Sequence, residues 1–146
     1  YGAPRDLPSF PTRRSSDLSG MYPVNTGATA TAGGSIPLGS INRRFGCNIN
    51  LNGNGIIING AGYYDFDVVL TALPAAAGAI TATLMRDGVA VPGATATATA
   101  AAVGEAVTLP ITAMVRQFGN CAGATYTVVL SGAATVSNIA VTVDKI

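Results

Sequence analysis

From Tyr63 to Ala72 apolar and polar side chains alternate. Tyr64, Phe66, Val68 and Leu70 fall on one face, and Tyr63, Asp65, Asp67, Val69 and Thr71 on the other. A period of two is the signature of a half-buried β-strand. The same alternation recurs in Ala79–Arg86, where Ile80, Ala82 and Leu84 oppose Thr81, Thr83 and Met85. It recurs again in Ala106–Phe118, where Val107, Leu109, Ile111, Ala113 and Val115 oppose Thr108, Thr112 and Met114. Asp87-Gly88 between Arg86 and Val89 predicts a two-residue hairpin turn returning into Val89–Pro92. Ala94–Ala102 alternates Thr and Ala, and the period of two favours a strand over a helix.

Shorter strands are expected at Ile36–Phe45, Cys47–Leu51, Ile56–Asn59, Tyr126–Leu130 and Ile139–Val143. Pro37 puts the first of these at a sheet edge. Asn52-Gly53-Asn54-Gly55 is a turn, because Asn and Gly tolerate positive φ. Many short strands with no convincing helix predict an all-β sandwich or jelly roll over residues 36–146.

Ser19–Ser35 is rich in Gly, Ser, Thr and Ala and is expected to be a linker or loosely attached arm. Ser9–Leu18 reads SFPTRRSSDL, which resembles the translation of a sequencing adapter. On that reading residues 1–18 are a non-native arm; the alternative is a natural disordered segment rich in Pro, Ser and Arg. The choice changes the charge balance. The chain carries 8 Lys+Arg and 7 Asp+Glu. Arg5, Arg13, Arg14, Asp6 and Asp17 lie in the arm, so residues 19–146 hold five of each sign and are neutral.

Charged residues are 10% of the chain, against roughly a quarter in an ordinary soluble domain. The outward strand faces therefore carry Thr, Ala, Val and Asn where a monomer would carry Lys and Glu. Such faces offer little resistance to association, and burial between subunits is the favoured reading. Near-zero net charge makes no case for nucleic acid, and no apolar run is long enough for a membrane-spanning helix. No basic region followed by an apolar core marks a signal peptide.

Catalytic chemistry has little to draw on. His is absent, which removes Ser–His and Cys–His pairs, and no catalytic residue or cofactor is expected. Gly53-Asn54-Gly55 and Gly60-Ala61-Gly62 lack the strand-to-helix context of a phosphate loop. Cys47 and Cys121 each follow a Phe-Gly frame at a strand end. They are either a disulfide closing a loop of roughly 75 residues, worth about 4 kcal/mol, or two free thiols. Asp65 and Asp67 share a strand face, and paired carboxylates are calcium candidates. A solvated or interfacial polar face is the simpler account, and no metal site is expected. Asn48, Asn50, Asn52 and Asn54 add oxygen donors at a period of two. Arg43-Arg44 would join Arg116 in an anion-binding cluster if the two Phe-Gly-Cys frames were neighbours.

Gly62-Tyr63-Tyr64-Asp65-Phe66, followed by a strand and then Leu84–Gly93 (LMRDGVAVPG), resembles the TNF-like jelly roll of complement-type globular heads. Within it the pattern is most similar to the C-terminal domain of BclA, a collagen-like glycoprotein of the spore exosporium. The terminal Ile139–Ile146 (IAVTVDKI) matches the closing strand, and the resemblance covers about residues 36–146. It implies a homotrimer of two-sheet subunits, and calcium as the metal to consider at Asp65 and Asp67. A collagen-like Gly-x-y stalk, part of the BclA pattern, is not found in this sequence.

Together these readings predict a non-enzymatic trimeric head, structural or adhesive, on a spore, cell or virion surface. Its partners would be its own copies, with a surface glycan or protein met by rim loops Pro74–Gly78, Gly93–Gly104 and Gly119–Gly123. The alternative is a monomeric carbohydrate-binding sandwich, calcium-dependent or not, with Tyr63 and Tyr126 as its only aromatic platform.

Overall fold

The computed structural model describes residues 19–46, 48–117 and 123–146. Eleven strands and no helix occur among them: β1 (Gly20–Asn25), β2 (Ala28–Ala30), β3 (Ser40–Phe45), β4 (Ile49–Asn52), β5 (Gly55–Ile58), β6 (Gly62–Pro74), β7 (Gly78–Arg86), β8 (Val89–Ala100), β9 (Val107–Gln117), β10 (Ala124–Leu130) and β11 (Ala134–Lys145). They make two sheets. The first runs β3-β1-β11-β6-β9 with β2 also on β11, and the second runs β4-β5-β10-β7-β8. From β8 onward each strand switches sheet, which interlocks the two layers as a jelly-roll sandwich.

The core is the space between the layers. Tyr64, Phe66, Val68 and Leu70 of β6 are buried, as are Leu109 and Ile111 of β9. Ile80, Ala82 and Leu84 of β7 and Tyr126, Val128 and Leu130 of β10 meet them from the second sheet. Phe66 and Tyr126 touch across the layers, with ring centroids 4.9 Å apart at 39°. In β11 a bulge between Val136 and Asn138 shifts the alternation by one residue, so Val136 and Ile139 both point inward.

Three expectations change. Residues 19–35, read as a linker, contribute β1 and β2. β1 lies between β3 and β11, and Met21 is buried. Gly20–Asn25 carries no periodic signal; non-local pairing on both sides holds it in place. Second, the strand expected over Ile36–Phe45 starts at Ser40. Ile36 and Leu38 instead plug the core from an irregular segment that includes Pro37. Third, Val89–Pro92 and Ala94–Ala100 are one strand with an internal bulge, and Ala101 and Ala102 fall in the connection that follows. Thr83 pairs Thr95 and Met85 pairs Ala90, so Val91–Ala94 bow out opposite Leu84 alone. Gly93, at φ +79°, supplies the positive φ this bow needs. The Asp87-Gly88 turn forms as expected, with φ of 50° and 84°.

Candidate functional site

The outer face of the β3-β1-β11-β6-β9 sheet can be read row by row from the strand register. One row runs Phe45, Gly20, Asp144, Asp65, Met114. A second runs Ser40, Val24, Ala140, Val69, Pro110. Between them Thr142 pairs Asp67, and Asp67 pairs Thr112, whose hydroxyl donates to Asp67 Oδ1 at 3.3 Å. Tyr63 faces Arg116 at the end of the sheet, the guanidinium carbon 5.7 Å from the ring centroid.

This face is unusually apolar for one open to water. Tyr63, Val69 and Met114 are 49%, 47% and 64% exposed; Val69 lies between Ala140 and Pro110, while Met114 pairs Asp65 and Tyr63 pairs Arg116. Its charge is concentrated. Asp65 and Asp144 are directly opposed on β6 and β11, with Asp67 two residues along. Like charges in that position repel. Partial burial pushes the Asp144 carboxyl above the usual range, and Asp65 and then Asp67 push it further.

A groove of about 390 Å³ opens beside this face, where β8 of one sheet meets β9 of the other. The bow in β8 creates it. Val89, Val91 and Pro92 form one wall, Met114 and Val115 the other, and Arg86 and Arg116 close the end. Arg86 donates to Arg116 O and to Gln117 Oε1, each at 3.3 Å, and lies 6.0 Å from the Tyr126 ring centroid. Two guanidinium groups are thus tethered beside an apolar slot.

The outer face of the second sheet is different. Thr81 pairs Thr97, Thr83 pairs Thr95 and Ala79 pairs Thr99, with the Thr81 and Thr97 hydroxyls bonded at 2.9 Å. It is a polar ladder satisfied within the chain.

The expected site residues scatter. Asp65 and Asp67 share a face as predicted, with Asp144 as a third carboxylate that sequence spacing gave no reason to add. Among the described residues no group of three or more His, Cys, Asp or Glu is placed to hold a metal. Asn48 O accepts from Asn59 N, and Asn50 Oδ1 accepts from Arg44, so this run is engaged in local bonding. The Arg43-Arg44 cluster with Arg116 does not form. β3 and β9 are opposite edges of one sheet, four strand spacings or about 19 Å apart. Arg86, which precedes no Phe-Gly frame, takes the place beside Arg116 expected for Arg43-Arg44. Cys47 and Cys121, and with them the disulfide, lie outside the described residues, as does most of the Gly119–Gly123 loop. Gly93–Gly104, expected as a rim loop, is mostly β8; the connection proper is residues 101–106. Tyr126 is buried, so it offers no platform for a sugar.

No protein-family model matches the chain, and no curated protein matches it in sequence. Solved structures do match in fold. Murine APRIL at pH 5.0 has a TM-score of 0.68 at 11% identity, covering 88% of this chain and 99% of its own. The Eiger TNF from S. frugiperda has a TM-score of 0.65 at 12% identity, covering 88% and 91%. The PRD1 vertex protein P5 has a TM-score of 0.56 at 14% identity, covering 88% and 96%. At these identities the likeness is one of fold: the chain is an all-β, TNF-like jelly-roll sandwich.

Proposed function

We propose that this chain is a non-enzymatic head domain that works as a homotrimer on the surface of a particle or cell. The observation that carries the reading is the outer face of the β6-containing sheet. It exposes Tyr63, Val69 and Met114, and residues 19–146, with five cations and five anions, have no net charge to keep copies apart. The opposite sheet bears a hydrogen-bonded threonine ladder and is the natural solvent side. The TNF-like fold, and the trimer implied by the sequence resemblance, agree with this division. A vertex protein among the structural neighbours supports display on a particle, while the BclA resemblance supports a spore surface.

Recognition, on this account, falls to the loops at one end, residues 75–77 and 101–106, which are small and exposed. Light scattering on the full chain at micromolar concentration should give three copies. A monomer there would leave the apolar face unexplained and favour the second reading, a carbohydrate-binding sandwich. That reading has Tyr63, half exposed beside Arg116, as its one aromatic contact. A glycan array with and without chelator would support it only if binding were lost in Tyr63→Ala.

A further inference from the structure

The slot of about 390 Å³ between β8 and β9 has the make-up of a small-ligand site: apolar walls and a few converging polar groups. Val89, Val91 and Pro92 stand on one side, Met114 and Val115 on the other. Val89 and Met114 are 69% and 64% exposed, so apolar surface lies open to water there. No acidic residue lines the slot, and Arg86 and Arg116 close its end. Arg86 donates to two neutral oxygens, Arg116 O and Gln117 Oε1, and among the described residues it pairs with no carboxylate. Its acidic neighbour in the chain, Asp87, is engaged by Thr125 N. Gln117 is itself buried, and the Arg86 guanidinium carbon lies 6.0 Å from the Tyr126 ring centroid. The guanidinium is thus held in place, with further N–H donors of its fork left for a ligand.

We propose that this slot binds a small aliphatic carboxylate, its head on the Arg86 and Arg116 guanidinium groups and its tail along Val89, Val91, Pro92 and Met114. A guanidinium fork matches the two oxygens of a carboxylate. Beside apolar walls such a charge pair is stronger than in open water. A tail of methylene groups asks for no hydrogen bonds from the walls, whereas a peptide would bring amides that these side chains cannot satisfy. Arg116 is the weaker anchor, because Asp65 lies diagonal to it across β6 and β9 and its guanidinium rests on the Tyr63 ring. The head therefore depends chiefly on Arg86. Met114, unbranched and adaptable, shapes itself to the tail. The same side chain is exposed on the face through which self-association is proposed, so ligand and neighbouring copy draw on one surface. The site stands apart from the self-association reading; only this competition rests on it.

Isothermal titration of the full chain with octanoate tests this, with hexanoate, octanol, octylammonium and acetate as comparisons. Octanoate should saturate at one site per chain. Hexanoate should bind more weakly by about fourfold per methylene removed. Octanol and octylammonium should bind at least about tenfold more weakly than octanoate. Either of them binding as tightly would overturn the role of the guanidinium groups, and acetate binding as tightly would overturn that of the walls. Octanoate that never saturates removes the site. Arg86→Gln should weaken octanoate at least about tenfold, and a variant that binds like the parent would overturn Arg86 as the anchor. Should that variant fail to fold by circular dichroism, the ligand series on the parent decides. Sedimentation velocity of the same samples separates the two readings. Octanoate should shift the parent towards smaller species, and an oligomer of unchanged mass at saturation would overturn the competition. A parent that is monomeric without ligand would remove the self-association reading, while the titration still judges the slot.

Discussion

Tyr64 and Tyr126 are both fully buried at the sheet interface, and their hydroxyls have opposite circumstances. Tyr64 Oη donates to Gly60 O at 2.8 Å. Tyr126 Oη is buried with no hydrogen-bond partner among the described residues. Replacing either by Phe leaves the ring in place, including the contact of Tyr126 with Phe66 at 4.9 Å. Only the hydroxyl term changes. A satisfied hydrogen bond contributes about 1 kcal/mol net, whereas a buried hydroxyl without a partner costs about 1 to 3 kcal/mol. Tyr64→Phe should therefore destabilise by about 1 kcal/mol, and Tyr126→Phe should stabilise by about 1 kcal/mol or more. The two variants would then differ by about 2 kcal/mol, a large share of a total stability of roughly 5–15 kcal/mol. Urea unfolding at equal slope reads this directly as a difference in midpoint. If both variants lose stability by similar amounts, Tyr126 has a partner and the account of this core is wrong. If both are neutral, the phenols are not buried as described.

Two other perturbations follow from the same structure. Asp144 has a carboxyl pKa raised by burial and by Asp65 and Asp67, so the dilute folded chain holds its proton more tightly than the unfolded chain does. Its favourable contribution is therefore complete below the ordinary carboxylate range, about pH 4, and is lost as pH rises through the raised folded value. Asp144→Asn should melt higher than the parent at neutral pH, with the difference closing on acidification; parallel melting profiles across that range would contradict it. Met21 is 3% exposed in β1. Met21→Ala should cost about 2–5 kcal/mol, and a change below about 0.5 kcal/mol would mean that β1 is an ornament on the sandwich rather than part of it.

The long strands were legible from the chain because their faces are chemically distinct. Tyr64, Phe66, Val68 and Leu70 alternate with Asp65, Asp67 and Val69, and the structure buries the first set. Asp87-Gly88 was legible because its turn demands positive φ at two adjacent residues. β1 was not, since Gly20–Asn25 has no period of its own and is ordered by neighbours more than 15 residues away at β3 and far beyond at β11. The continuity of β8 through Pro92-Gly93 was hidden for a related reason: a proline and glycine that ordinarily end a strand here form a bulge within one. The groove could not be read at all. Arg86 and Arg116 are 30 residues apart in the chain and meet only because the end of β7 in one sheet lies against the end of β9 in the other. The third carboxylate, Asp144, joins Asp65 only through the register of β11 on β6.

The number of chains in solution bears most directly on the account. Sedimentation equilibrium of the full chain at micromolar concentration and moderate salt should fit a single species of three times the chain mass. A single species of one chain mass, unchanged with concentration, would contradict it.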